Sequence, residues 1–267
     1  MMEVLQAIIL GAVQGLTEFL PVSSSGHLIL FPNAFGWQDQ GLAFDALVHL
    51  GTFTALIWYY KKDLRILLKG VIQKKKESID FVLRIIVATI PAVILALLLN
   101  NLIEEYVRST LVVMMGLVVW GIVLFLADRS SSRRKEHLEE YQQISWKQAI
   151  YIGLAQPIAL LPGTSRSGIT ITAGLFSGLS RRSAAQFSFF LAIPVTGLAG
   201  IYGVYKTLSE QSSYSIVSHT AGFLSAMLFG LFAIHFLLSY LKKRKYDIFV
   251  FYRIALAVII GIFLLGS

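Results

Sequence analysis

Two stretches decide the fold: Phe19-Leu20-Pro21-Val22-Ser23-Ser24-Ser25-Gly26-His27 and Leu161-Pro162-Gly163-Thr164-Ser165-Arg166-Ser167-Gly168. Each breaks an apolar run, 3–36 and 146–180, near its middle with proline, glycine and hydroxyls. Proline removes a backbone donor and glycine admits conformations that other residues avoid, so neither run reads as one continuous helix. Both are nevertheless too apolar for solvent. The reading that satisfies both facts is a re-entrant helix–loop–helix, which dips into a bilayer and returns to the face it left. Irregular backbone at that depth survives only where protein or a wet cavity satisfies it, so the two breaks mark the predicted site.

The rest of the chain supplies the membrane. Of 267 residues, 56% are apolar and 14% charged, with a mean hydropathy of +0.70, well outside the usual soluble composition. Six segments are expected to span: 42–60, 84–100, 109–127, 183–205, 216–241 and 249–265. Glu3 stands where a basic leader region belongs, so no cleavable signal is expected. The absence of cysteine excludes disulfides, thiolate metal sites and cysteine nucleophiles. The net charge of +8 does not indicate nucleic acid, because 19 of the 23 Lys and Arg lie in 61–84, 128–147, Arg181–Arg182 and Lys242–Lys245, between apolar segments. That is the positive-inside pattern of cytoplasmic loops. The connection 100–108, with Glu104, Glu105 and Arg108, and the connection 206–215, with Lys206 and Glu210, fall outside. Loop 128–147, which includes Lys135, and Arg181–Arg182 place both ends of the second broken stretch inside. The first stretch then enters from the opposite face.

The halves also match one another. Ala7-Ile8, Gly11 and Gln14 correspond to Ala149-Ile150, Gly153 and Gln156 at an offset of 142; Leu20-Pro21 and Ser24 correspond to Leu161-Pro162 and Ser165 at 141; Gly26 and Gly168 return to 142. One hairpin plus three spans per half makes an odd number of crossings, so a repeat must insert upside down relative to its twin. The expected fold is an all-α integral membrane protein: six transmembrane helices and two re-entrant hairpins, arranged as two inverted-topology repeats, 1–127 and 148–267, joined by a cytoplasmic linker 128–147. Chance matching of short apolar segments is the alternative.

Within the breaks, chemistry-bearing residues are few. Glu18 places a carboxylate in an apolar stretch, at about 2.5–3.5 kcal/mol on insertion scales, with Gln14 one helical turn earlier on the same face. Gly26 permits a tight turn, and a loop opening onto a helix offers N–H groups to an anion. A serine of the 23–25 run or His27 is a candidate nucleophile, with Glu18 or His27 as base. Arg166 stands alone among hydroxyls between Lys147 and Arg181, and its guanidinium suits bidentate grip on phosphate. A structural Arg166–Glu18 ion pair is the plainer reading. His49 and His235 are read as helix-packing groups and Asp45 as a helix-start residue.

With these residues the chain closely resembles the undecaprenyl-diphosphate phosphatase family, also called bacitracin-resistance proteins. The signatures that carry the resemblance are Gln14 through His27, a Glu-or-Gln, three residues, then Glu, running into Pro-x-Ser-Ser-x-Gly-His, and Pro162 through Thr170. The resemblance implies an integral enzyme of the bacterial inner membrane that converts undecaprenyl diphosphate to undecaprenyl phosphate and phosphate, recycling the cell-wall lipid carrier and conferring bacitracin resistance. It implies a divalent cation, Mg²⁺ or Ca²⁺, and a site open to the periplasm. It assigns catalysis to Glu18, Ser24, His27 and Arg166, with Gln14, Ser23, Ser25, Ser165, Ser167 and Thr170 expected to contact substrate and Glu18 the one candidate metal ligand. Gln14 stands where many members carry Glu, which leaves a single carboxylate in that motif. Expected partners are the polyprenyl diphosphate and bilayer lipids, with a homodimer left open. The rival from another class is a transporter or flippase of an anionic lipid, which needs broken helices and an arginine but no nucleophile–base set.

Overall fold

The computed structural model describes residues 4–38, 40–106, 109–134, 137–138, 140–208 and 215–266. Glu3, Arg108, Lys135 and Glu210 lie outside the described residues. Both broken stretches are helix–break–helix units. In the first, α1 (Val4–Phe19) stops just before Pro21 and α2 (Ser24–Phe35) ends at Gly36, in a left-handed conformation. The second opens on α7 (Trp146–Ala155), started by a capping box in which Ser145 and Gln148 satisfy each other's backbone N–H. It continues as a 3₁₀ turn, Gln156–Leu160, and resumes after the break as α8 (Arg166–Phe176).

The remaining helices are α3 (Gly41–Tyr59), α4 (Lys61–Ile72), α5 (Lys76–Tyr106), α6 (Thr110–Ser132), α9 (Arg181–Leu208), α10 (Ile216–Tyr240) and α11 (Asp247–Gly266). Among the described residues, Lys76–Leu99, Thr110–Ser132, Arg181–Gly203 and Ile216–Tyr240 are long and apolar enough to cross a bilayer. The apolar part of α3, Ala43–Tyr59, is shorter. Ile90, Ile94 and Leu98 of α5, Met115 and Val119 of α6, and Phe251 and Val258 of α11 point outward, as hydrocarbon contact requires. The protein is thus an all-helical, multi-pass membrane protein.

One expectation is corrected. Residues 61–84, read as a loop because of their charge, form α4 and the first turns of α5. Leu64 and Leu67 recur at helical spacing and pack against the main core, while Lys61, Lys62, Arg65 and Lys69 stay exposed beside Ile66, Leu68 and Ile72. Such a mixed basic and apolar face belongs at a membrane interface; lysine-rich composition hid the period.

Packing pairs elements of one half with those of the other: α1 lies on α10 and α7 on α5, α3 faces α9, and α6 faces α11. Gly11 and Gly153, matched in sequence, sit at the two corresponding crossings. A Cβ on Gly153 would stand 2.6 Å from Ala88 Cα, and one on Gly11 would strike the Gly222 backbone. Close backbone approach of this kind is what small residues give membrane helices. At one end of the bundle, buried Asp128 of α6 accepts from Arg181 of α9 and from the Tyr246 N–H that precedes α11, so three helices share one carboxylate. These crossings press the two breaks against each other.

Candidate active site

Each break ends in a strained serine. Ser23 and Ser165 hold φ of 75° and 74°, a region that non-glycine residues seldom occupy and that costs on the order of 1–3 kcal/mol. Both are N-caps: Ser23 Oγ accepts from Gly26 N–H at 3.4 Å and Ser165 Oγ from Gly168 N–H at 3.1 Å. Each also meets the hydroxyl two residues on, Ser25 at 3.4 Å and Ser167 at 3.1 Å. Ser23 therefore corresponds to Ser165, which corrects the sequence pairing of Ser24 with Ser165. The slip lies earlier, where Val22 faces the two residues Gly163-Thr164. Ser24 and Arg166 then occupy the same first-turn position of α2 and α8, two helix starts whose leading N–H groups have no acceptor within the helix.

Glu18 joins the two. Its Oε1 accepts from Arg166 Nη2 at 2.6 Å, and its Oε2 accepts from Ser24 Oγ at 2.7 Å and from Gln14 Nε2 at 3.1 Å. Arg166 is further fixed by Nη1 donating to the Ser188 carbonyl at 3.3 Å. Thr170 donates to the Arg166 carbonyl at 2.8 Å and lies 2.7 Å from Ser188 Oγ. Ser167 Oγ donates across to the Leu20 carbonyl at 3.1 Å, tying the second break to the first. Both expected features, an ion pair and a serine–carboxylate contact, are present in one cluster.

The cluster forms one wall of a cavity of about 720 Å³. Glu18, Ser24, Ser25, His49, Ser165 and Arg166 line its polar end. Ala92, Val93, Ala96 and Leu97 of α5 face Val195, Leu198 and Ala199 of α9 along the apolar remainder. A long hydrocarbon with an anionic head matches this division.

Not every candidate arrives there. His27 is buried away from Glu18: its Nδ1 donates to the Ser23 carbonyl at 2.7 Å and its Nε2 accepts from Tyr252 at 2.7 Å. With both nitrogens engaged, the imidazole holds the Ser23 turn rather than facing the cavity. Gln14, Ser23, Ser167 and Thr170 also lie behind the wall, whereas Ser25 and Ser165 reach it. His49, read from sequence as a packing residue, lines the cavity with Nε2 3.9 Å from Glu18 Oε2, held by Nδ1 donating to the Asp45 carbonyl. Gln156 lines it too; its match to Gln14 across the halves was the available signal. His235 stays outside, beside Tyr59.

An implied cation would draw its donors from this cluster. Among the described residues no three His, Cys, Asp or Glu gather. Glu18, the metal candidate, already serves Arg166, Ser24 and Gln14. The buried oxygens Gln14 Oε1 and Gln156 Oε1 have no hydrogen-bond partner among the described residues, but with one neutralised carboxylate they give only a few oxygens, so water and substrate phosphates would have to complete a Ca²⁺ or Mg²⁺ shell. The residues fit a cation shared with substrate phosphates and water rather than one caged by protein alone.

The profile of the bacitracin resistance protein BacA family matches residues 7–259. An undecaprenyl-diphosphatase of Saccharophagus degradans is 45% identical over 259 residues, covering 96% of both chains. One from Colwellia psychrerythraea is 44% identical over 266 residues, covering 96% of this chain and 97% of its own. One from Chlorobium phaeobacteroides is 42% identical over 269 residues, covering 96% and 95%. With agreement that runs nearly end to end and includes both breaks, the chain belongs to the bacitracin resistance protein BacA family.

Proposed function

We propose that the protein is an undecaprenyl-diphosphatase, releasing inorganic phosphate from a polyprenyl diphosphate and returning the lipid monophosphate. The observation that carries this reading is the Ser24 Oγ–Glu18 Oε2 hydrogen bond of 2.7 Å beside Arg166, at the polar end of a mostly apolar cavity. Arg166 and the first N–H groups of α2 and α8 hold the diphosphate. Ser24 Oγ attacks the terminal phosphorus, its proton passes to Glu18 Oε2, and the bridging P–O bond breaks to release the prenyl phosphate. Water then displaces phosphate from Ser24, and Glu18 returns the proton to the serine oxygen. The geometry favours Glu18 over His27 as base, since His27 has no free ring nitrogen. A divalent cation enters only as a counter-ion borne by the diphosphate. No step runs through it.

The architecture proposed for this reaction has α3 and α11 crossing along with the four long spans, as two inverted repeats with the breaks meeting between them. The α1–α2 hairpin then opens to the periplasmic side of the inner membrane. Because the chain has no cysteine, single-cysteine variants Ala34→Cys and Lys243→Cys test it in intact cells. Ala34 is expected to react with an impermeant reagent from outside and Lys243 only after permeabilisation. Labelling of both from one side would overturn the topology.

Phosphate release by purified protein in detergent is the direct test, on a prenyl diphosphate and on a water-soluble diphosphate. The expected result is turnover of the prenyl substrate alone. EDTA that stops turnover adds the cation; EDTA without effect removes it. Tight binding of the lipid without phosphate release would instead favour the flippase reading.

A further inference from the structure

Arg253 of α11 is fully buried, and the mechanism above does not use it. Every donor of its guanidinium meets a backbone carbonyl. Nε donates to Leu117 at 3.0 Å; Nη1 donates to Pro21 at 3.1 Å and Thr164 at 3.1 Å; Nη2 donates to Gly116 at 3.1 Å and Gly163 at 2.7 Å. Among the described residues no carboxylate lies within ion-pair distance of it. A charge taken out of water without a counter-ion is expensive even when its hydrogen bonds are complete, and a scaffold needing only donors has cheaper choices.

The location is as specific as the bonding. Nη1 alone joins the first break, at Pro21, to the second, at Thr164. Gly168 leaves room for it, since a Cβ there would stand 3.2 Å from Nη1. Three of the carbonyls it holds, those of Pro21, Gly163 and Thr164, lie within two residues of the strained caps Ser23 and Ser165, and the other two belong to α6. Such backbone persists only where its surroundings over-determine it, and Arg253 adds a second tie between the loops to that of Ser167 with Leu20. The neighbouring Tyr252 adds to the same hold, through His27 to the Ser23 carbonyl.

We propose that Arg253 is a positioning residue for the phosphoryl site: it locks the two breaks in register so that Ser24 and Arg166 meet Glu18, and its unpaired charge strengthens diphosphate binding. The proposal rests on the hydrolase reading for its effect on rate, but its effect on binding stands by itself. Two variants separate its parts. Arg253→Lys keeps the charge and loses the planar fork; Arg253→Met keeps similar bulk and loses both. Each is purified in detergent, its unfolding temperature recorded, and assayed for kcat and KM on a prenyl diphosphate and for Kd of a methylene-bridged, non-hydrolysable prenyl diphosphonate.

For Arg253→Lys we expect Kd and KM within about threefold of the parent and kcat lower by roughly 10²-fold, the scale set by an ångström of misplacement. For Arg253→Met we expect kcat at least as low and Kd raised by about tenfold or more. A merely structural role lowers the unfolding temperature of both and leaves kcat, KM and Kd of the folded protein unchanged; that result overturns the proposal. So does a pair of variants that yields no folded protein, because scaffolding then accounts for the residue. Wild-type protein that binds the diphosphonate yet releases no phosphate sinks the hydrolase reading, while the Lys-against-Met difference in Kd still decides the charge.

Discussion

Arg166→Ala is expected to reduce phosphate release from a prenyl diphosphate by roughly 10³-fold or more, the scale of losing an arginine that stabilises a transferring phosphoryl group. Positioning and charge neutralisation do most of the work in such a transfer, and Arg166 supplies both at the point where α8 begins. The same residue neutralises Glu18 at 2.6 Å in a buried pair, so the single variant confounds two effects. Removing one partner of a buried pair leaves the other charge stranded, at about 3–5 kcal/mol. The double variant Glu18→Gln with Arg166→Ala separates them: its unfolding temperature should recover most of the loss, while phosphate release should not return. Recovery of both would reduce the pair to a structural bond. Arg166→Lys should fall between, since an ammonium keeps the charge without the two-pronged grip.

Ser24→Ala should be the most damaging change, with turnover down by about 10⁴-fold or more, as when an enzyme loses its nucleophile. Stability should change little by comparison, because the side chain is half-buried and Glu18 retains Arg166 and Gln14 as donors. Rapid quenching of the wild type with terminally labelled substrate should trap phosphate on Ser24, and the variant should trap none. Label found on His27 in Ser24→Ala would overturn the assignment. The structure gives a reason to expect otherwise: His27 has committed one nitrogen to the Ser23 carbonyl and the other to Tyr252.

What sequence made legible was largely a matter of interruption. The proline, glycine and hydroxyl runs located both breaks to within a residue or two, because there the three residue types cluster, whereas α5 and α9 run unbroken through Pro91 and Pro194. The three side chains of the central cluster were legible for the same reason: Glu18 and Arg166 are charges out of place, and Ser24 sits at the break between them. Failures came where a local signal was diluted or split. In α4, basic residues masked a helical period whose inward side is Leu64, Leu67 and Gly70. Arg253 was absorbed into an expected span, although a lone arginine inside one is as anomalous as Glu18. His49 looked like packing because its partner, Glu18, lies on another helix 31 positions earlier in the chain. The one-residue slip between the halves misplaced Ser24, since sequence matching follows letters, whereas the caps are defined by backbone angle.

That corrected match carries a consequence for descent. If the halves arose by copying one ancestral segment, Ser24 and Arg166 began as the same residue, so an undiverged pair offered either two hydroxyls or two guanidiniums across the seam. Neither duplicate pair can both attack phosphorus and neutralise its oxygens. Pseudo-symmetry would supply the chamber, and its breaking at one first-turn position would supply the reaction.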